Sequence, residues 1–247
     1  MGAWSTHWWM DAWCIAAVRD AQERVRSQRE IPRVCRRLFE AGLIAGQDGN
    51  VSVRLPSGNV LVTPGGLSKV DVQEDDLVEL DCDGNHVAGT RSASSEVGMH
   101  LRIYARRSDV HAVVHAHPPV ATGFGVAGFD FMDDVLPETI FHLGGVPLVP
   151  YATPGTPALA DALEPYLPVH DAFLLANHGA TTTGPSLLLA HQRMESLEHA
   201  ARILLTARAL GRVNPIHPND AAILRAARRK ALASWTAAAG KDVGGTE

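Results

Sequence analysis

Two histidines that are two residues apart stand out as possible metal ligands. His115 and His117 come at the end of the apolar, β-branched run Val110–Ala116, which predicts a strand. Residues i and i+2 of a strand project from the same face, so both imidazoles can reach one ion. Neutral imidazole suits Zn²⁺, which takes about four ligands in a tetrahedron. The spacing alone does not distinguish a metal site from a pair of packed histidines.

A third ligand must come from elsewhere in the chain, and His178 is the best candidate. It follows the continuous apolar run Ala172–Ala176, which is typical of a buried strand. The next residue is Gly179, and a glycine there allows the backbone or a ligand to approach closely. The histidines that fit a packed or structural role better are His111, His191 and His199.

The sequence Ser94-Ser95-Glu96 opens a predicted helix that continues to Ala105. One interpretation is a capped helix, with serine at the N-cap and an acidic residue in the first turn. The other interpretation is catalytic. Free N–H groups and hydroxyls at a helix start can bind an anion, and a carboxylate there can act as a general acid or base.

Two turns border a predicted β-hairpin and could also bind an anion. Gly49-Asn50 precedes the first strand, and Thr63-Pro64-Gly65-Gly66 ends the second. Both could be ordinary turns. Alternatively, their backbone N–H groups, the threonine hydroxyl and the asparagine amide could form a phosphate cradle, for which Lys69 is the only cation nearby in the sequence.

The elements around these residues indicate one domain. Apolar residues at helical spacing predict a helix over Ile31–Ile44, and no internal repeat or linker follows. We therefore predict one α/β or α+β domain over residues 31–240. Residues 1–30, with four tryptophans, predict an N-terminal extension, either an interface arm or a poorly ordered leader. The polar, glycine-rich residues 241–247 predict a flexible tail.

The composition limits the class of protein. The chain has 247 residues, of which 46% are hydrophobic and 20% are charged, so it can bury a sizeable core. A net charge of −5 argues against a nucleic-acid partner, which normally requires clustered lysine and arginine. Three cysteines without CxxC spacing argue against a disulfide scaffold and favour a reducing cytoplasm. No apolar run reaches the roughly 18 residues of a membrane span, and the N-terminus does not resemble a signal peptide.

The motifs occur in an order that resembles the class II aldolase/adducin family. In chain order they are Gly49-Asn50-Val51-Ser52-Val53-Arg54, Thr63-Pro64-Gly65-Gly66, Ser94-Ser95-Glu96, His115-Ala116-His117, Pro150-Tyr151-Ala152-Thr153-Pro154-Gly155-Thr156 and Asn177-His178-Gly179. The resemblance covers about Ile31 to Leu210. It implies an α/β fold with three α/β/α layers and a mostly antiparallel central sheet. It also implies a homotetramer with its sites between subunits.

The resemblance also implies a role for each candidate residue. Zn²⁺, or another divalent metal, would be held by His115, His117 and His178, and Glu96 would be the acid/base. The residues that would hold a substrate phosphate are Asn50, Thr63, Gly65, Ser94 and Ser95. The implied reaction is retro-aldol cleavage of a ketose 1-phosphate to dihydroxyacetone phosphate and an aldehyde, with the metal stabilising the enediolate as a Lewis acid.

One position departs from the family pattern. Alignment on Gly144-Gly145 places Glu138 where the family's aldolases use a tyrosine from the neighbouring subunit as a proton donor. Glu138 is then a substitute acid or a structural residue. The departure leaves open 4-epimerisation, methylthioribulose-1-phosphate dehydration and oxo-tetronate-phosphate decarboxylation. A non-catalytic scaffold of the adducin type is disfavoured, because it has no need for the three histidines and Glu96.

Overall fold

An eight-stranded sheet forms the centre of the fold in a computed structural model that describes residues 7–130 and 134–242. In chain order the strands are β1 (Asn50–Arg54), β2 (Val60–Val62), β3 (Val78–Leu80), β4 (His86–Ala88), β5 (Ala112–Ala116), β6 (Leu148–Val149), β7 (Ala172–Leu175) and β8 (Gly179–Gly184). Across the sheet the order is β4-β3-β2-β1-β5-β8-β7-β6. Only the β6–β7 pair is parallel, so the predicted mostly antiparallel sheet is confirmed.

Helices cover both faces of the sheet. The described α-helices are α1 (His7–Glu40), α2 (Val97–Arg106), α3 (Pro119–Val126), α4 (Pro157–Leu163), α5 (Leu187–Ala209) and α6 (Pro218–Asp242). One core cluster joins α1, α3 and α5 to the sheet and includes Val114 of β5. A second cluster joins α2 and α4 to the opposite face and includes Val113. Since adjacent residues of a strand point to opposite faces, β5 is buried on both sides and the fold has three layers.

Strand β8 was not predicted, because its sequence Gly-Ala-Thr-Thr-Thr-Gly is poor in apolar residues. It nevertheless lies between β5 and β7 in the centre of the sheet, with Thr181, Thr182 and Thr183 buried. Their hydroxyls have partners there: Thr182 Oγ1 donates to Ala190 O at 2.7 Å, and Thr183 Oγ1 to Asp171 O at 3.3 Å. Buried hydroxyls are tolerated when they are hydrogen-bonded in this way.

Helix α1 begins much earlier than its predicted start at Ile31. It has 34 residues and continues through Pro32. Before Ile31, local ion pairs support the helix, such as Arg24–Asp20 at 2.9 Å. The predicted N-terminal extension falls outside the described residues over 1–6, and the predicted tail does so from residue 243 onward.

Two further features of the described residues bear on the predictions. His111, predicted to be packed, is exposed, and it lies directly before β5 rather than within it. Its backbone is paired, since its N–H donates to Gly184 O at 2.8 Å. Among the described helices, none has both the length and the apolar character that crossing a membrane requires.

Candidate metal and acid/base site

Three histidines from different parts of the sheet meet at one end of β5. His115 lies in β5 opposite Asn50 of β1 and Thr181 of β8. His117 follows the end of β5, and His178 lies in the turn between β7 and β8. Their ring centroids are 4.7–5.1 Å apart, and one ring nitrogen from each lies within 4.8 Å of the others. The structure therefore brings the three predicted ligands into one cluster.

His115 is oriented by its contacts with β8. Its Nδ1 atom lies 2.9 Å from Ala180 O and 3.2 Å from Thr181 Oγ1. A carbonyl oxygen can only accept, so Nδ1 carries the proton and donates to Ala180. When the ring is neutral, its lone pair is therefore on Nε2, which faces His117 Nε2 at 3.2 Å. A backbone acceptor behind a histidine is the usual device that fixes a ligand's tautomer and ring orientation.

The turn that carries His178 has a backbone that few residue types can form. Asn177 has φ 56°, in the left-handed region that asparagine tolerates better than most residues. A Cβ atom on Gly179 would lie 2.5 Å from His117 Cδ2 and 2.6 Å from Ala116 O. Only glycine allows the turn and the His117 ring to approach this closely. The close approach expected from Gly179 is therefore present.

Glu96 connects two of the histidines to β1. Its carboxylate lies 3.2 Å from His115 Nε2 and 3.0 Å from His178 Nε2, and it accepts a hydrogen bond from Asn50 Nδ2 at 2.9 Å. The side chain is only 12% exposed. Helix α2 begins at Val97, with Glu96 as the N-cap residue and without a side-chain capping bond. The prediction of a serine N-cap is therefore wrong. The Glu96 carboxylate faces His115 and His178, and the Ser94 hydroxyl accepts from the Glu96 N–H, before the helix begins.

The electrostatics of the cluster favour binding of a cation. Burial raises the pKa of Glu96, but hydrogen bonds and charge from His115 and His178 outweigh it and hold that pKa well below its usual range. Burial, together with the charges of His115 and His178, lowers the pKa of His117 to about 4. Near neutral pH, Glu96 is therefore anionic and His117 is neutral. Metal binding requires both of these protonation states.

The donor set fits a divalent metal. Three imidazoles with one adjacent carboxylate suit Zn²⁺ and several other first-row ions, so the residues do not specify which metal binds. The buried polar atoms of the described pocket that have no hydrogen-bond partner include Asn50 Oδ1 and His178 Nδ1. Buried polar atoms rarely stay unpaired, so this pocket is suited to a polar or charged guest.

The five predicted phosphate-binding residues do not share one environment. Asn50 is buried and contacts Glu96, and Ser94 Oγ accepts from the Glu96 N–H at 3.4 Å. Ser95 is exposed next to Gly155, on which a Cβ would lie 3.6 Å from Ser95 Cβ. These three residues surround the start of α2.

Thr63 and Gly65 use their polar groups inside the protein. The Thr63 side chain is fully buried, and its hydroxyl accepts a hydrogen bond from the Val51 N–H at 3.1 Å. The Gly65 N–H donates to Ser92 O at 3.0 Å. A phosphate-binding role for these two residues remains a prediction, which these contacts do not favour.

Glu138 is not part of the histidine cluster within one chain. It is exposed and directly precedes a π-helical turn, Thr139–Leu143. Among the described residues it makes no side-chain hydrogen bond or ion pair with the three histidines. Its predicted role as an acid therefore requires a second chain.

Sequence reasoning missed one site residue and misplaced another. Asp48 Oδ2 lies 3.5 Å from His117 Nδ1, and its position directly before Gly49-Asn50 was the available signal. Lys69, noted as a cation near the phosphate motif, is instead buried. Its ammonium donates to Gln47 O at 2.9 Å and Leu67 O at 3.0 Å, which ties together the two loops beside the site.

Comparisons with known proteins give relatives with the same fold. The 3-oxo-tetronate 4-phosphate decarboxylase of Escherichia coli strain K12 is 35% identical over 181 residues, which are 72% of this chain and 85% of that protein. The L-fuculose phosphate aldolase of Methanocaldococcus jannaschii is 31% identical and is matched over 72% of this chain and 95% of its own. A solved L-fuculose 1-phosphate aldolase superposes with a TM-score of 0.78 at 30% identity, covering 83% of this chain and 96% of that one.

The family model described as Class II Aldolase and Adducin N-terminal domain matches residues 29–205. This span contains the whole sheet, the three histidines and Glu96. The match covers well over half of the chain, and the relatives are matched over most of their own length. The chain belongs to the class II aldolase and adducin family, and it resembles L-fuculose-1-phosphate aldolase within it.

Proposed function

We propose that this chain is a metal-dependent lyase that breaks a carbon–carbon bond of a phosphorylated sugar or sugar acid and leaves dihydroxyacetone phosphate. The observation that carries the proposal is the convergence of His115, His117 and His178 around the Glu96 carboxylate. A carboxylate that only caps a helix does not need three histidines around it. A carboxylate that transfers protons beside a bound cation requires such an arrangement.

Each residue has a distinct task in the proposed reaction. The three histidines would hold a divalent ion, most simply Zn²⁺, which supplies Lewis-acid stabilisation of negative charge on substrate oxygens. Glu96 moves the proton at the carbon atom that loses its bond. Asn50 donates to Glu96 Oε2 at 2.9 Å and so sets the direction of the carboxylate. Ser94 and Ser95, at the start of α2, would contact the phosphate.

Two substrate classes fit this chemistry, and they differ in what leaves. Retro-aldol cleavage of a ketose 1-phosphate releases an aldehyde, and the departing hydroxyl must lose a proton to a base. Decarboxylation of a 3-oxo-tetronate 4-phosphate releases CO₂, and no hydroxyl proton has to be removed. In both cases the remaining three-carbon carbanion is protonated to dihydroxyacetone phosphate.

Two observations bear on the choice between the two reactions. The relatives named 3-oxo-tetronate 4-phosphate decarboxylase reach 35% identity, slightly above the 31% of the L-fuculose phosphate aldolase. Within one chain, Glu96 is also the single carboxylate in the described site that contacts His115 and His178. Both observations favour decarboxylation. Retro-aldol cleavage is favoured if Glu138 of a neighbouring chain supplies the second proton-transfer group.

The proposal is tested with purified, metal-loaded protein and a substrate panel. Ketose 1-phosphates and 3-oxo-tetronate 4-phosphates are incubated with the enzyme, and dihydroxyacetone phosphate, aldehyde and CO₂ are measured separately. We expect dihydroxyacetone phosphate from one class and a loss of about 10²–10⁴-fold in turnover for Glu96→Gln, the usual size of an acid–base contribution. The Glu96→Gln variant must still bind metal.

Three outcomes would contradict the proposal. Epimerised or dehydrated product without dihydroxyacetone phosphate would show other sugar-phosphate chemistry on the same site. Near-normal turnover of Glu96→Gln would show that another group carries the proton. No turnover of any phosphorylated substrate, with or without metal, would favour a non-catalytic scaffold.

A further inference from the structure

The C-terminal helix α6 lies beyond the region that the family model matches, yet it contacts a segment between α3 and β6. The segment consists of residues 134–144 and ends with the π-helical turn. Arg228 of α6 donates through Nη1 to two carbonyls of that turn, Phe141 O at 2.7 Å and His142 O at 2.6 Å. We call residues 134–144 the Glu138 segment, because Glu138 lies within it.

Arg228 also connects this segment to the sheet. Its Nη2 atom donates to Asp171 Oδ2 at 2.5 Å, directly before β7. Asp171 is held in turn by Arg107 Nη2 at 2.8 Å and by Arg193 Nη2 at 2.9 Å. All four side chains are largely buried, and a charge-assisted network of this kind is costly to break on one side. One guanidinium therefore joins α6, the π-helical turn and the sheet.

The other end of the Glu138 segment is held by the same helix and the loop before it. Arg225 Nη2 lies 2.6 Å from each carboxylate oxygen of Asp134, and the Ile216 N–H donates to Asp134 O at 2.6 Å. At the far end, Gly144 has φ 74°, and a Cβ there would lie 2.6 Å from Arg228 Nε. Both ends of the segment are thus fixed against α6, while Glu138 between them is exposed.

We propose that α6 acts as a clamp in which Arg225 and Arg228 are positioning residues that fix the Glu138 segment. An exposed carboxylate on a free loop samples many positions, whereas two anchored ends restrict it to few. The functional consequence rests on the retro-aldol form of the proposed function, in which Glu138 completes the site of a neighbouring chain. The clamp itself is a property of one chain and can be measured without substrate.

The clamp is tested by amide hydrogen exchange on full-length, metal-loaded variants. Arg225→Gln removes the pair with Asp134 at an exposed position, and Arg228→Lys keeps the charge but cannot reach two carbonyls and a carboxylate together. Arg229→Gln is the matched control, since Arg229 is an exposed neighbour on α6 without an ion-pair partner among the described residues. We expect exchange over residues 134–144 to rise about tenfold in the first two variants, because hydrogen bonds to charged groups are the stronger class.

The same variants are then compared in steady-state kinetics. We expect kcat to fall while KM stays within about twofold, because the clamp positions a proton-transfer group rather than the substrate. The charge-swapped pair Arg225→Asp/Asp134→Arg should recover slow exchange and kcat together.

If amide exchange over residues 134–144 in Arg225→Gln and Arg228→Lys is as slow as in the Arg229→Gln control, the clamp is overturned. Faster exchange with unchanged kcat overturns the positioning role and leaves a structural contact. If wild type itself turns over no substrate, the proposed function has failed, and the exchange data still decide the clamp.

Discussion

At the scale of single residues, the three histidines have different environments. His115 is fully buried and fixed by Ala180 O, whereas the side chain of His117 is 26% exposed and has Asp48 on its other nitrogen. Because its ring is already oriented by Ala180 O, His115 loses less conformational freedom on binding a metal than His117 does.

The first prediction concerns metal content. We expect the purified protein to bind about one divalent ion per chain, released by chelators, since three imidazoles complete one site. The double variant His115→Ala/His117→Ala should lose nearly all of it, as measured by elemental analysis. His199→Ala is the control, because His199 is exposed on α5. Stoichiometric metal in the double variant would sink the site assignment.

The second prediction separates structural from phosphate-binding hydroxyls. Thr63→Val leaves the buried Val51 N–H without its acceptor, which costs about 1–3 kcal/mol of folding stability. Ser95→Ala removes an exposed hydroxyl beside the start of α2 and should instead raise KM for a phosphorylated substrate, about tenfold for each ~1.4 kcal/mol lost. Thermal unfolding and KM are measured on both variants. A raised KM without a lower Tm for Thr63→Val would restore its predicted role in phosphate binding.

At the scale of secondary-structure elements, α2 and β1 share a buried polar chain. Ser52 Oγ lies 2.7 Å from His100 Nδ1 and 2.7 Å from the Tyr104 hydroxyl. If the imidazole is neutral and its Nδ1 carries no proton, the Tyr104 hydroxyl donates to Ser52 Oγ, and the Ser52 hydroxyl donates to His100 Nδ1. Burial favours this neutral form and lowers the pKa of His100 to about 3. The contact between helix and strand therefore depends on an uncharged histidine.

The third prediction is the resulting pH dependence. Below about pH 6.5 the unfolded chain takes up a proton at His100 while the folded chain does not, so the free energy of unfolding falls as the pH falls. The expected loss is about 1.4 kcal/mol per pH unit for each such histidine, until the folded pKa of about 3 is reached. His117 adds a similar slope of unfolding free energy against pH, because its pKa is also lowered. The contribution of His100 is therefore isolated by comparing wild type with His100→Gln in metal-free buffer. An equal slope for both proteins would contradict the assignment.

The elements that sequence reasoning predicted are those with a regular pattern. The hairpin of β1 and β2 alternates around a Pro-Ser-Gly-Asn turn, and β7 is a continuous apolar run, so local sequence determines both. Strand β8 has no such pattern, because its threonines become suitable core residues only through partners such as Ala190 O and Asp171 O. Those partners lie elsewhere in the chain, and a local reading does not contain them.

The candidate site was likewise predictable only in those parts that the local sequence determines. Strand parity was enough to predict that His115 and His117 share one face, and the apolar strand before His178 indicated the third candidate ligand, which the structure brings into the same cluster. The direction of Glu96 was not predictable, because capping and catalysis require the same residue types at a helix start. Only the fold decides between them, by bringing β5 and the β7–β8 turn within reach of the carboxylate.

At the scale of the whole molecule, one chain provides a histidine cluster that could hold a metal and, separately, an exposed acid. The histidines and Glu96 lie at one end of β5, while Glu138 lies in a segment held by α6. A closed homo-oligomer can join two such surfaces, because every chain then donates its Glu138 segment to one neighbour and receives one from another. A tetramer is the assembly that we propose.

The last prediction tests this sharing of sites. Glu96→Gln and Glu138→Gln should each be nearly inactive alone if the two acids serve one site. Co-assembly of equal amounts should restore about one quarter of wild-type activity, since a quarter of sites then combine an intact Glu96 with an intact Glu138 from a neighbour. The matched control mixes Glu96→Gln with His115→Ala. Both changes damage the same half-site, so every mixed site keeps a defect and no activity returns. Recovery in neither mixture, with oligomers confirmed by light scattering, would place both acids in one chain. Near-normal activity of Glu138→Gln alone would remove Glu138 from the reaction.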